Sequence, residues 1–202
     1  AASDVYKRQL LMVGAFSPLE GFMNEKDYYS VLENHRDSNG FLFGLPIVLD
    51  TDNSDIKIGD KVLLNFNDQK LAILDVQSKW EPDKSAEGKF CYGTNSLDHP
   101  AVKMIFHERG RFYLGGKLYG FELPKREFPC QTPLDVRGIL PPNFDVVAFQ
   151  CRNPIHRAHY ELFTNALSSE NVSKNSVVLV HPTCGPTQQD DIPGKIRYLT
   201  YK

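Results

Sequence analysis

Val146-Val147-Ala148-Phe149-Gln150-Cys151-Arg152-Asn153-Pro154-Ile155-His156-Arg157-Ala158-His159 is the stretch whose reading decides the fold. Its first four residues are an apolar run suited to a buried strand. The next four are polar or cationic, and an amphipathic segment, Tyr160 to Leu167, follows at once. The pattern predicts a strand that turns directly into a helix. Pro154 suits the first helical position, where its missing N–H costs nothing. It also disfavours the α region for Asn153, itself a good N-cap residue. His156 and His159 share one helical face, continued by Phe163 and Ala166. That face is expected to lean on the sheet and to bring both imidazoles to the carboxyl ends of the strands, where open α/β sheets hold ligands. Unpaired first-turn amides, the helix dipole, two histidines and Arg152 together favour a phosphate-bearing ligand.

Working outward, a Ser/Asn-rich loop leads to a second apolar run, Val177 to His181, completing one β-α-β unit. Upstream, Thr132-Pro133-Leu134-Asp135 has the form of a capping box and opens a short helix ended by Gly138 and Pro141-Pro142. From Leu10 to Pro129 the chain reads as mainly β. Val62–Phe66 and Leu71–Val76 flank a hairpin signal at Asn67-Asp68-Gln69. Phe112–Leu114 and Lys117–Tyr119 flank Gly115-Gly116, which reads as a two-residue hairpin loop. Short helices are expected at Glu25–Asn34 and His99–Glu108. The fold class is therefore α/β: a β-rich region of residues 10–130, then a β-α-β nucleotide-binding unit from 131 to 202, with the boundary near Phe128–Gln131.

The bulk numbers exclude several classes. The 202 residues are 41% hydrophobic and 24% charged, the composition of an ordinary globular protein. A net charge of -2 supplies no field for nucleic acid, so anion binding must come from a local site. No apolar run reaches the ~18 residues of a membrane span. The cysteines, Cys91, Cys130, Cys151 and Cys184, show no C-x-x-C spacing, which favours a reduced, cytoplasmic protein. Residues 1–9 read as a non-native extension, and the chain reads as a piece of a longer protein.

Phe149 to Leu162 closely resembles the ATP sulfurylases (sulfate adenylyltransferases) of fungal and bacterial type, in which a Gln-Thr-Arg-Asn-Pro segment precedes His-x-x-His. Further matches are Gly14 to Met23, Asp98-His99-Pro100-Ala101-Val102, Tyr113 to Leu118, and His181-Pro182 with Gly185. The resemblance implies a PUA-like N-terminal domain followed by the first part of a Rossmann-like nucleotidyltransferase domain. It implies the reaction of ATP with sulfate to give adenosine 5′-phosphosulfate (APS) and pyrophosphate. Mg²⁺ is implied as MgATP with no protein ligand, and a homo-oligomer is implied because relatives are commonly dimers or larger. Neither nucleic acid nor membrane is an expected partner.

The implied site is Gln150, Cys151, Arg152, Asn153, His156 and His159, all contributing to the nucleotide site. Gln150 and Arg152 also contact sulfate. Catalytic roles fall to Cys151, Arg152, Asn153, His156 and His159, with the histidines donating to α- and β-phosphate oxygens. Cys151 stands where the family has Thr and is a weaker hydrogen-bonding group. Gln188-Gln189-Asp190-Asp191 replaces a Lys-Pro-Gly-Asp pattern, and only Asp191-Ile192 and Arg197 keep the family frame. A downstream Gly-Arg-Asp-His-Ala motif lies beyond Lys202, so this piece alone is expected to be inactive. Three rivals use the same residues or region: a zinc site of Cys151, His156, His159, His181 and Cys184, an RNA-binding PUA module, and a nucleotidyltransferase with another acceptor.

Overall fold

The computed structural model describes residues 2–66, 68–120, 128, 130–185 and 191–201. The chain divides into two compact units, Ala1–Pro124 with Thr132–Leu134, and Lys125–Gln131 with Asp135–Lys202.

The first unit is built on one antiparallel sheet. Helix α1 (Ala2–Met12) precedes the short strand β1 (Gly21–Phe22), helix α2 (Glu25–Asn34) and strand β2 (Leu49–Thr51). Strands β3 (Lys61–Phe66) and β4 (Gln69–Trp80) follow, then helices α3 (Lys84–Tyr92) and α4 (Pro100–His107) and strand β5 (Phe112–Gly120). The strand order is β1-β5-β4-β3, and β2 also pairs with β5. The expected hairpin joins β3 to β4, with Phe66 opposite Gln69; Asn67 lies outside the described residues. Helix α2 spans the expected residues because Asn24 caps it, its Oδ1 accepting the Asp27 N–H at 2.8 Å. Its Tyr28, Val31 and Leu32, one helical stripe, are buried.

Gly115-Gly116 does not form a hairpin loop. Both glycines lie inside β5, where a register shift in β4 between Val76 and Ser78 opens the ladder. A Cβ on Gly116, at φ 152°, would sit 1.9 Å from the Asp75 carbonyl oxygen, and one on Gly115 would sit 2.3 Å from that of Met23. The glycines allow neighbouring backbone to close on β5 from both sides, a need that local turn statistics cannot reveal.

The main core of this unit includes Phe22, Met23, Leu74, Val76 and Leu114. Helix α1 joins it through Leu11. From the same helix the buried Arg8 donates to the Leu71 carbonyl at 2.8 Å, and Lys7 to that of Val48 at 3.2 Å. A second cluster contains Tyr28, Trp80 and Tyr113. At its edge the buried Glu87 carboxylate accepts from Arg109 Nη1 at 2.6 Å, Tyr28 Oη at 2.9 Å and Tyr113 Oη at 2.8 Å.

The second unit holds strands β6 (Asp145–Cys151) and β7 (Ser176–Pro182), paired in parallel from Asp145↔Ser176 to Cys151↔Pro182. Helix α5 (Pro133–Ile139), whose first two residues fall in the first unit, precedes β6, α6 (Arg157–Leu167) connects the strands, and α7 (Gly194–Thr200) follows β7. Along β6, Val147 and Phe149 are half-buried while Val146 and Ala148 are exposed, the period-two pattern of a strand. Phe163 of α6 meets Phe149 edge-on at 5.0 Å, which places the helix on the sheet face that the sequence pattern predicts.

Candidate active site

The carboxyl end of β6 carries the predicted residues in order. Gln150 is exposed, pairs in register with His181, and donates through Nε2 to Thr183 Oγ1 at 3.2 Å. Cys151 ends the strand and is buried. Arg152 and Asn153 are exposed on the loop that follows.

The helix starts later than the sequence suggests. Its first residue is Arg157 rather than Pro154, and the N-cap is His156 rather than Asn153. His156 is extended, with φ −132° and ψ 178°, and its carbonyl accepts from the amides of His159 at 2.9 Å and Tyr160 at 3.2 Å. The His156 N–H in turn donates to His159 Nδ1 at 3.3 Å. This reciprocal cap, together with two contacts from α7 to the loop carbonyls, holds residues 152–156 outside the helix. A local window reads Asn-Pro as a helix start because it contains none of those partners.

The two imidazoles stack, with centroids 3.9 Å apart and planes inclined by 30°. The His159 ring also lies 5.4 Å from Phe149. With Nδ1 accepting the His156 amide, neutral His159 keeps its proton on Nε2, so the outer edge of the ring is a hydrogen-bond donor. The amides of Arg157 and Ala158, the first two residues of α6, precede the first intrahelical bonds and point the same way along the helix axis. Donor-rich and positively polarised, this end of the sheet suits an anion.

Arg152 Nε lies 3.4 Å from Asp191 Oδ2, and the pair orients a guanidinium that is nearly half exposed. The contact engages the guanidinium through Nε. Asp191, which sequence reading left without a role, is thereby the ion-pair partner of Arg152. Gln188, Gln189 and Asp190 lie outside the described residues.

Helix α7 and its C-cap residue Tyr201 supply two side chains that sequence reasoning did not assign to the site. Arg197, 2% exposed, donates from Nη1 to the Arg152 carbonyl at 3.1 Å and from Nη2 to the Gly185 carbonyl at 2.9 Å. The Tyr201 hydroxyl donates to the Asn153 carbonyl and lies 3.1 Å from Cys151 Sγ. Because the tyrosine proton goes to Asn153, the thiol must be the donor in the second contact. Burial, and then the contact with Cys151, raise the Tyr201 hydroxyl above the usual phenol range. The i, i+4 spacing of Arg197 and Tyr201 was the available signal, since it puts both on one helical face. Gly194 lets α7 begin tight against the exit of β7, where a Cβ would sit 1.9 Å from the Cys184 carbonyl oxygen.

The zinc alternative does not fit this arrangement. Among the described residues no three His, Cys, Asp or Glu side chains converge as a metal site requires. Among the same residues no helix is long and apolar enough to cross a membrane.

Fold and site together define a β-rich PUA-like domain followed in sequence by an α/β nucleotide-binding unit. Residues 2–123 match the family model of the PUA-like domain, and residues 132–202 match that of ATP-sulfurylase. The sulfate adenylyltransferase of Kluyveromyces lactis is 39% identical, the match covering 100% of this chain and 41% of the relative. That of Schizosaccharomyces pombe is 41% identical over 96% of this chain and 41% of the relative. Among solved structures, the hexameric APS kinase from Thiobacillus denitrificans shares the fold with a TM-score of 0.58 at 22% identity, covering 97% of this chain and 35% of that one. Residues 2–123 belong to the PUA-like domain family and residues 132–202 to the ATP-sulfurylase family, and the chain spans 41% of the length of these two curated relatives.

Proposed function

We propose that the protein containing this chain is a sulfate adenylyltransferase that condenses ATP with sulfate to give APS and pyrophosphate. On this reading residues 10–130 are the PUA-like domain and residues 131–202 begin the catalytic domain. The observation that carries it is the β6–α6 junction, where Arg152 follows the end of a parallel strand and the stacked His156–His159 pair stands at the start of α6.

A sulfate oxygen attacks the α-phosphorus, the new P–O bond forms, and the bond to the bridging oxygen of pyrophosphate breaks with its electron pair. Sulfate carries no proton at neutral pH, so no general base is needed. The protein's contribution is alignment and charge stabilisation. Arg152 and Gln150 hold sulfate. The Nε2–H of His159, with His156 beside it, donates to α- and β-phosphate oxygens as charge builds there. Asn153 and the loop backbone line the nucleotide, and Cys151 supports the loop from beneath. Mg²⁺ would arrive bound to the ATP phosphates and neutralise part of their charge, in keeping with a site whose own groups are mainly donors. The protein works in the cytoplasm as a homo-oligomer, a reading helped by the hexameric assembly of the structural neighbour.

The test is ATP formation from APS and pyrophosphate by the full-length protein, beside His156→Ala and His159→Ala variants. Loss of one transition-state donor should lower kcat by about 10²–10³-fold. A folded wild type that makes no ATP would sink the sulfate reading. Full activity in both variants would remove the histidines from the mechanism.

A further inference from the structure

We infer that Arg197 and Tyr201 are positioning residues for the sulfate-side loop, acting through its backbone rather than on substrate. The inference rests on the functional reading above and extends it to two side chains of α7. Three observations converge. Arg197 is almost fully buried, and its acceptors among the described residues are backbone carbonyls, Arg152 after β6 and Gly185 after β7. Its Nε has no partner among the described residues. One turn later, Tyr201 engages the next carbonyl of the same loop, Asn153, and the Cys151 thiol beneath it.

Three consecutive residues, Cys151, Arg152 and Asn153, are thus held from one face of a single helix. Burying a guanidinium whose acceptors among the described residues are neutral is costly, and two carbonyl oxygens offset part of that cost. Arg152 is doubly fixed, its carbonyl by Arg197 and its Nε by Asp191. The thiol at 151 donates to the Tyr201 hydroxyl, a role a threonine hydroxyl would also fill. Position 151 on this reading serves loop placement and not substrate contact.

The experiment uses the full-length protein with Tyr201→Phe, Arg197→Met and Arg197→Lys, and two readouts. One is the alkylation rate of Cys151 in the folded protein, resolved by peptide mass spectrometry with Cys91 as internal control. The other is the split between kcat and the KM for sulfate. Tyr201→Phe and Arg197→Met should expose Cys151 to faster alkylation at unchanged Cys91 reactivity. They should raise the sulfate KM and lower kcat, together by about 10–100-fold in kcat/KM. Arg197→Lys, which keeps the charge and a donor, should recover part of this. A purely structural role would lower kcat with the folded fraction and leave the sulfate KM alone, which would overturn the inference. Unchanged Cys151 alkylation in both Tyr201→Phe and Arg197→Met would overturn it equally, because the loop would then not depend on α7. An inactive wild type would instead bring down the sulfate reading, and with it the catalytic part of this inference.

Discussion

Replacing Glu87 by alanine takes one carboxylate out of the first unit and leaves three donors facing the gap. Arg109 Nη1 loses a 2.6 Å ion pair, with side-chain exposures of 9% for Arg109 and 2% for Glu87. Tyr28 and Tyr113 lose hydrogen bonds of 2.9 and 2.8 Å. Breaking a buried ion pair by removing one partner costs about 3–5 kcal/mol, because the other charge stays buried and uncompensated. Each hydroxyl left unsatisfied adds about 1–3 kcal/mol, although Tyr113 keeps its 2.8 Å contact with Arg109 and the terms overlap. The expected loss is about 5 kcal/mol, against a domain stability of about 5–15 kcal/mol.

The assay is urea denaturation followed by the fluorescence of Trp80, the one tryptophan in the chain. It packs 5.4 Å from Tyr28 and 5.8 Å from Tyr113, so it reports this unit. Glu87→Gln should lose less, since the amide oxygen can still accept. The double variant Glu87→Ala/Arg109→Met should lose less than Glu87→Ala alone, because the stranded charge is gone. A Glu87→Ala loss below about 1 kcal/mol would mean that the network is solvated, and the argument from burial would fail.

Two further outcomes follow from the same unit. Burial, and then the Glu87 charge, push the Cys91 thiol up to about 11, so at pH 8 it is almost wholly protonated. Its alkylation should run about 100-fold slower than that of an unperturbed thiol and climb tenfold per pH unit until about pH 11, and labelling at pH 8 as fast as that of the exposed Cys130 would refute this. Gly116→Ala would drive a Cβ to 1.9 Å from the Asp75 carbonyl oxygen at a φ of 152°. It should lower the unfolding free energy read from the Trp80 transition by about 3 kcal/mol or more, and a loss below about 0.5 kcal/mol would show that β4 and β5 part easily there.

Much of the fold was legible because it rests on local chemistry. Asn24 and the Tyr28-Val31-Leu32 stripe state α2 outright, and the runs on either side of Asn67-Asp68 state the hairpin. The strand–helix junction was legible as a type, and the candidate site residues that the family resemblance implied lie on it. Less legible was anything a distant partner decides. Gly115-Gly116 has the composition of a turn, yet it serves close approach by β1 and β4. Within the stretch read as an extension, Arg8 donates to the carbonyl of Leu71, a partner that no local window contains.

By itself the sequence determined the order of elements, the apolar faces and the identity of the donors at the end of β6. These follow from side-chain periodicity and from which groups carry N–H. Only the tertiary structure decided where α6 begins, which carboxylate Arg152 meets, and that Arg197 and Tyr201 reach back more than forty residues to the loop. A carbonyl oxygen looks alike at every position in a sequence. Which buried donor satisfies it is settled only when β6, β7 and α7 come together.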